Sequence, residues 1–196
     1  MTRIQDPSKT SSHLSLWLGL LAAAAVVTGS FFFVRVQAET KATGEMAYLK
    51  PVPSDAKLRS RLNKEQYHVM RENGTEALFH NQYYENQSPG LYVDFITGEP
   101  LFSSVDKFDS GIGLPSFTKP LSKDHVVLKR DTSFGLNRIE IRASKSDSHL
   151  GHFFNDGPAP THERYTVNSA ALHFVPVEKL QKEGYGEFRA LFEEKK

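Results

Sequence analysis

The 196-residue chain contains no cysteine. That excludes disulfides, thiolate metal sites and any cycle in which a thiol is oxidised and then reduced. A surplus of one charge is also missing. The 24 Lys and Arg against 23 Asp and Glu leave a formal charge of +1, so there is no basic field to gather nucleic acid. No Walker loop, dinucleotide Gly-rich fingerprint or Gly-x-Ser-x-Gly elbow occurs, which removes the usual nucleotide-dependent and serine-hydrolase signatures. No internal repeat is present. What remains is ordinary folding material, 39% hydrophobic and 11% aromatic, enough for one domain plus an extra segment.

The extra segment is at the N-terminus. Arg3 and Lys9 precede an uncharged run from Ser11 to Val34, with Leu14, Leu16, Trp17, Leu18, Leu20 and Leu21 followed by small and aromatic residues. About 20 apolar residues suffice to span a bilayer as a helix, and Val36-Gln37-Ala38 behind the run fits a signal cleaved after Ala38. Residues 1–38 therefore read as a hydrophobic helix, either a signal peptide or a transmembrane anchor. The rest is expected to be membrane-anchored or exported, on the trans side. Residues 1–38 carry a net +2, which leaves −1 on the remainder.

Residues 39–57 hold Gly44, Pro51 and Pro53 among small polar side chains and read as a linker. A helix is expected from Asn63, whose side chain can cap the first turn with Gln66 in the reciprocal position and with Leu62 and Tyr67 set for a staple. Gly74 is expected to end it. Short strands follow at 91–96, 125–129, 137–143, 151–154, 164–167 and 171–175. Arg138-Ile139-Glu140-Ile141-Arg142 alternates charged and apolar residues, as a strand with one buried face does. The spacing predicts a mainly β domain over 58–176. Pro176 opens a helical tail over 177–196, weakened by Gly184 and Gly186.

Several motifs occur in a fixed order: Gly74-Thr75-Glu76, Pro100-Leu101-Phe102-Ser103-Ser104, Lys107-Phe108-Asp109-Ser110-Gly111, Pro115-Ser116-Phe117, His149-Leu150-Gly151-His152-Phe153-Phe154, Asp156-Gly157-Pro158 and Arg164-Tyr165-Thr166-Val167-Asn168-Ser169. In order and spacing, the stretch from Leu58 to Phe174 resembles the methionine-R-sulfoxide reductase (MsrB) family. The resemblance implies two antiparallel sheets packed together with flanking helices. It also implies reduction of methionine-R-sulfoxide in proteins, a repair of oxidative damage. Thr166 stands where the family carries its catalytic cysteine. His149, His152 and Asp156 fall on polar catalytic positions, and Leu114, Phe117, Arg164 and Asn168 on substrate-binding ones. A polarised S–O bond needs donors at its oxygen, an imidazolium can supply a proton as that oxygen leaves, and a carboxylate beside a histidine orients the ring.

The departures are chemical. The family reaction needs a soft, nucleophilic sulfur that passes through a sulfenic acid. A threonine hydroxyl has no such oxidation ladder. Leu114 replaces the usual tryptophan of the methyl pocket, and Ile112 occupies a position where some members carry a resolving cysteine. Zinc-containing members hold two Cys-x-x-Cys pairs at the positions of Asp94 with Thr97 and Ala143 with Ser146. Ala143 cannot ligate, and structural zinc needs a complete set, so no zinc or other cofactor is expected.

Three functions stay open. One is a true reductase. The second is an impaired or inactive homologue that binds oxidised methionine or a similar small polar ligand, or an interaction scaffold at a membrane surface without a ligand. The third is a metal site built from His149, His152, Asp156 and the nearby His162. No nucleic-acid partner is expected.

Overall fold

The cap read at Asn63 forms as expected. Gln66 N–H donates to Asn63 Oδ1 at 2.8 Å, and Asn63 N–H donates back to Gln66 Oε1 at 3.1 Å, a reciprocal pair that satisfies two otherwise orphaned donors. In the computed structural model, which describes residues 47–193, this box opens helix α2 (Lys64–Glu72). Asn73, not Gly74, takes the left-handed stop, with φ 56°. Gly74 has a different task. A Cβ there would lie 2.2 Å from the His68 ring, so glycine lets the chain leave beneath that imidazole. A shorter helix, α1 (Asp55–Arg61), begins inside the stretch read as linker and buries Leu58. Its Asp55 accepts from Arg59 and from the Tyr67 hydroxyl of α2.

Nine strands follow in two antiparallel sheets. Strands β1 (Gly90–Asp94), β2 (Pro100–Ser103) and β9 (Leu172–Pro176) form the smaller, in the order β2-β1-β9. The larger has the order β3-β4-β8-β7-β6-β5. It comprises β3 (Lys107–Phe108), β4 (Ser116–Phe117), β5 (Val126–Asp131), β6 (Arg138–Ala143), β7 (His149–Phe154) and β8 (Arg164–Val167). The fold is mainly β with flanking helices, as the sequence and the resemblance imply. Strands β2, β3 and β4 were not anticipated. Two of them are only two residues long, too short to show a period.

The sheets meet through aromatic side chains. Phe102 of β2 stacks on Phe117 of β4 at 4.6 Å, and Tyr92 of β1 meets the same ring edge-on at 5.1 Å. Val69 and Met70 of α2 close this core with Ile141, Leu150 and Val167. β1 is buried on both faces because Leu91 and Val93 point the other way, into a second cluster with Val175, Leu180 and Tyr185. The tail that builds this cluster is not one α-helix. It winds as 3-10 segments at Val177–Lys179 and Gly186–Phe192, with Gly184 at φ 90° between them.

The hydrophobic run read as a signal or anchor lies outside the described residues, as does the linker up to residue 46. Among the described residues no helix is long and apolar enough to cross a membrane.

Candidate functional site

Side chains alternate across a strand, so the register of the larger sheet sorts its residues into two faces. One face carries Phe117, Tyr165, Val167, Ile141 and Ala143 into the core. The other is polar. Ser116 pairs with Thr166, Thr166 with His152, and His152 with Glu140, so four polar side chains run in one row across β4, β8, β7 and β6. Gly151 makes the β7–β8 seam possible. A Cβ on it would stand 2.1 Å from the Thr166 carbonyl oxygen and 2.9 Å from Val167 Cα, so no other residue fits without moving a backbone.

Thr166 is at the centre of the row and is 5% exposed. Arg164 Nη1 donates to its Oγ1 at 2.8 Å, and Ser116 Oγ lies 3.1 Å away. Ser116 is in turn 2.8 Å from Ser110 Oγ. Arg164 donates from Nε and Nη2 to the two oxygens of Asp156, each at 2.7 Å, and lays its plane 4.1 Å above the Phe154 ring. All three guanidinium nitrogens are engaged and one face is stacked, a geometry lysine could not reproduce. The Arg164 guanidinium holds the Asp156 carboxyl below its ordinary value.

Each histidine has its own carboxylate, and neither is Asp156. His149 Nδ1 is 2.7 Å from Glu140 Oε1, and His152 Nε2 is 2.7 Å from Asp131 Oδ2. The two imidazoles meet edge to face at 5.4 Å. With Nδ1 of His149 directed at Glu140, the ring's other nitrogen is left for something else. Nε2 is buried and finds no hydrogen-bond partner among the described residues. Burial pushes this imidazole below its ordinary pKa, against the pull of Glu140, which favours the neutral ring. Asp131 is held far below the usual carboxylate range by hydrogen bonds from Ser133 and His152, joined by Arg138.

The other residues singled out from the sequence lie apart from this row. Asn168 is buried with both amide atoms engaged: Oδ1 accepts from Glu76 N–H at 3.0 Å and Nδ2 donates to the Leu150 carbonyl at 2.9 Å. Glu76, the acid of the Gly-Thr-Glu motif, accepts from Ala170 N–H at 2.9 Å and from Ser169 N–H. The pair ties the end of β8 to the segment after α2. Phe117 is in the core, and Leu114 is 7% exposed. Glu140, Asp131 and Ser116 were not assigned roles from the sequence. The alternation of β6 carried the signal for Glu140, since it faces opposite to Ile139 and Ile141.

Asp94, Thr97 and Ser146, three of the positions at which the resemblance implied zinc ligands, form a second polar cluster. Asp94 Oδ2 accepts from Thr97 N–H at 2.8 Å and from its Oγ1 at 2.6 Å, and Asp94 Oδ1 accepts from Ser146 Oγ at 3.0 Å. Arg71 of α2 donates to the Ser146 carbonyl at 3.0 Å. The turn after β1 is thereby clasped to the turn after β6. Ala143 contributes only its backbone, through an N–H to the Ser148 carbonyl. Among the described residues no group of three or more His, Asp or Glu converges as a metal ion requires. His149, His152 and Asp156 are instead each paired within the protein. Two cavities, of about 540 and 590 Å³, lie away from Thr166, one beside Tyr84 and Lys107 and the other beside Leu128 and Phe153.

A SelR-domain family model matches residues 62–176. Over 146 residues the chain is 51% identical to the peptide methionine sulfoxide reductase MsrA/MsrB of Vibrio cholerae. That match covers 74% of this chain and 38% of the relative, so the chain spans well under half of that longer protein.

Proposed function

The chain belongs to the SelR-domain, or methionine-R-sulfoxide reductase, family, which acts on oxidised methionine, and from that premise we propose that it binds methionine-R-sulfoxide or a similar small polar ligand without reducing it. The observation that carries the reading is the state of position 166. Its side chain is a hydroxyl fixed between Arg164 and Ser116. Reducing a sulfoxide transfers its oxygen away as the enzyme's sulfur gives up two electrons and becomes a sulfenic acid. Threonine oxygen cannot do this, and no protonation state of a neighbour changes that.

Recognition survives the loss. The S–O oxygen is a hydrogen-bond acceptor, and the polar face offers the Ser116 and Thr166 hydroxyls against the positive charge of Arg164. His149 adds a buried nitrogen whose hydrogen-bonding capacity is unused among the described residues. In the neutral ring it accepts a ligand N–H or O–H, and in the charged ring it donates to a sulfoxide oxygen. The reading includes no zinc, because hydrogen bonds from Thr97 and Ser146 already fill the carboxylate of the clasp. The apolar run from Ser11 to Val34 supports placing the domain at a membrane surface, on the trans side.

Calorimetric titration with N-acetyl-methionine-R-sulfoxide amide, paired with a dithiothreitol-driven reductase assay, tests the reading. We expect saturable binding of the R epimer and turnover no faster than the reductant background. Stereospecific turnover by the unchanged chain would sink the proposal. Absence of both binding and turnover would leave an interaction scaffold.

A further inference from the structure

Phe79 is a bulky residue in the left-handed region, at φ 63°, where a side chain of its size is a genuine outlier. Burial does not compensate for it, since Phe79 is 52% exposed. Three contacts hold it there. Its N–H donates to the Gly113 carbonyl at 2.9 Å. Its ring lies so close on Gly113 that a Cβ at that glycine would be 2.6 Å from the ring's Cγ. The ring also meets Tyr84 edge to face at 5.3 Å. Asn81 reinforces the arrangement, donating to the same Gly113 carbonyl at 2.7 Å while accepting from Ser169 Oγ at 2.7 Å.

Gly113 leads directly into Leu114, Pro115 and Ser116, and Ser116 Oγ is 3.1 Å from Thr166 Oγ1. Phe79 thus holds a half-exposed aromatic ring against Gly113, three residues before Ser116, whereas Leu114 is withdrawn from solvent. A sulfoxide side chain has two needs: donors at its oxygen, and an apolar wall for its methyl and methylene groups. The polar row meets the first.

We propose that Phe79 meets the second, as the specificity-determining aromatic wall for the apolar part of the ligand. The proposal rests on the reading that the Thr166 site takes a methionine sulfoxide. It gives the left-handed conformation a purpose, because a relaxed backbone at residue 79 would turn the ring away from the 113–116 loop.

The test is titration of the full chain and its variants with N-acetyl-methionine-R-sulfoxide amide, each variant also being melted. Phe79→Leu should weaken binding about two- to tenfold, the worth of one packed aromatic contact, with its melting temperature little changed. Phe79→Tyr, which keeps the ring, should retain the affinity of the unchanged chain. Equal binding by Phe79→Leu and the unchanged chain overturns the wall but leaves the site's reading standing. Loss of binding by Phe79→Tyr in step with a fall in melting temperature marks Phe79 as a packing residue and also overturns it. No binding by the unchanged chain overturns the wall and the site's reading together.

Discussion

The clasp at Asp94 and the row at Thr166 are two places where the resemblance implies sulfur, in zinc-containing members for the first and at the catalytic position for the second, and where this chain carries oxygen. Their outcomes differ because the two sulfurs have different tasks. In the clasp the task is to hold two turns together, and a carboxylate accepting from Thr97 and Ser146 holds them. Charge-assisted hydrogen bonds in a buried setting are strong enough for that purpose. In the row the task is to change oxidation state, which no arrangement of hydroxyls achieves. Oxygen can replace sulfur as a fastener. It cannot replace it as an electron donor.

The largest expected effect comes from placing sulfur at position 166. Thr166→Cys places a thiol against Arg164 Nη1 and across the strand from His152, and the adjacent guanidinium favours a thiolate. Reduction of the R-sulfoxide with dithiothreitol should rise on the order of 10³-fold or more above the unchanged chain, given what loss of a nucleophile costs a catalytic unit. A folded variant with a reactive thiol and no turnover would show that the site has drifted beyond its ancestral chemistry, and that the comparison is drawn in the wrong place.

Much of this comparison was legible in the chain itself. The capping box at Asn63 and the one-sided strand 138–142 follow from local pattern, and the interest of Thr166 follows from the resemblance. The partners of the histidines do not. Glu140 and Asp131 lie 9 and 21 residues from their imidazoles, and only the β5–β6–β7 register brings them near. Asp156 was grouped with the histidines by the resemblance, and the turn after β7 directs it to Arg164 instead. The clasp was equally hidden. Read as a failed zinc set, Asp94, Thr97 and Ser146 look like losses, and their mutual hydrogen bonds emerge only from two turns meeting in space. Helix α1 was missed because its seven residues follow two prolines and bury a single leucine.

A smaller effect tests the clasp. Asp94→Ala strands the Thr97 and Ser146 donors in a buried site, at about 1–3 kcal/mol for groups left unpaired. Melting should fall by roughly 2–4 °C per kcal/mol for a domain of this size, while binding of the sulfoxide ligand stays as it was. If Asp94→Ala abolished binding at unchanged stability, clasp and row could no longer be described as separate devices.

The smallest effect is in the pH dependence, where the two regions should oppose each other. Burial raises the Asp94 carboxyl above 3.8. Its contribution to stability is full below that value and is lost as pH rises through the folded pKa. Burial lowers His149 below 6.5. Its contribution is full above 6.5 and is lost as pH falls through the folded pKa. Acidification from neutrality should therefore loosen the row while it favours the clasp. Comparing melting temperature against pH for the unchanged chain, His149→Gln and Asp94→Asn checks this. His149→Gln should flatten the curve below about pH 6.5, and Asp94→Asn should remove the downward slope that begins near 3.8. Identical curves for both variants would erase the distinction.

Gly151 has one more consequence, and it concerns handedness. Because β7 passes its bare backbone against the Thr166 carbonyl, the β7–β8 seam is closed at position 166, and the Thr166 side chain belongs to the polar face. On that face its neighbours are three unlike groups, the Arg164 guanidinium, the Ser116 hydroxyl and, across the strand, the His152 imidazole. A sulfoxide sulfur is itself a stereocentre, and a one-sided frame of three different contacts receives its two mirror forms unequally. On the proposed reading the side chain at 166 does not react, and the three unlike contacts around it would still tell left from right.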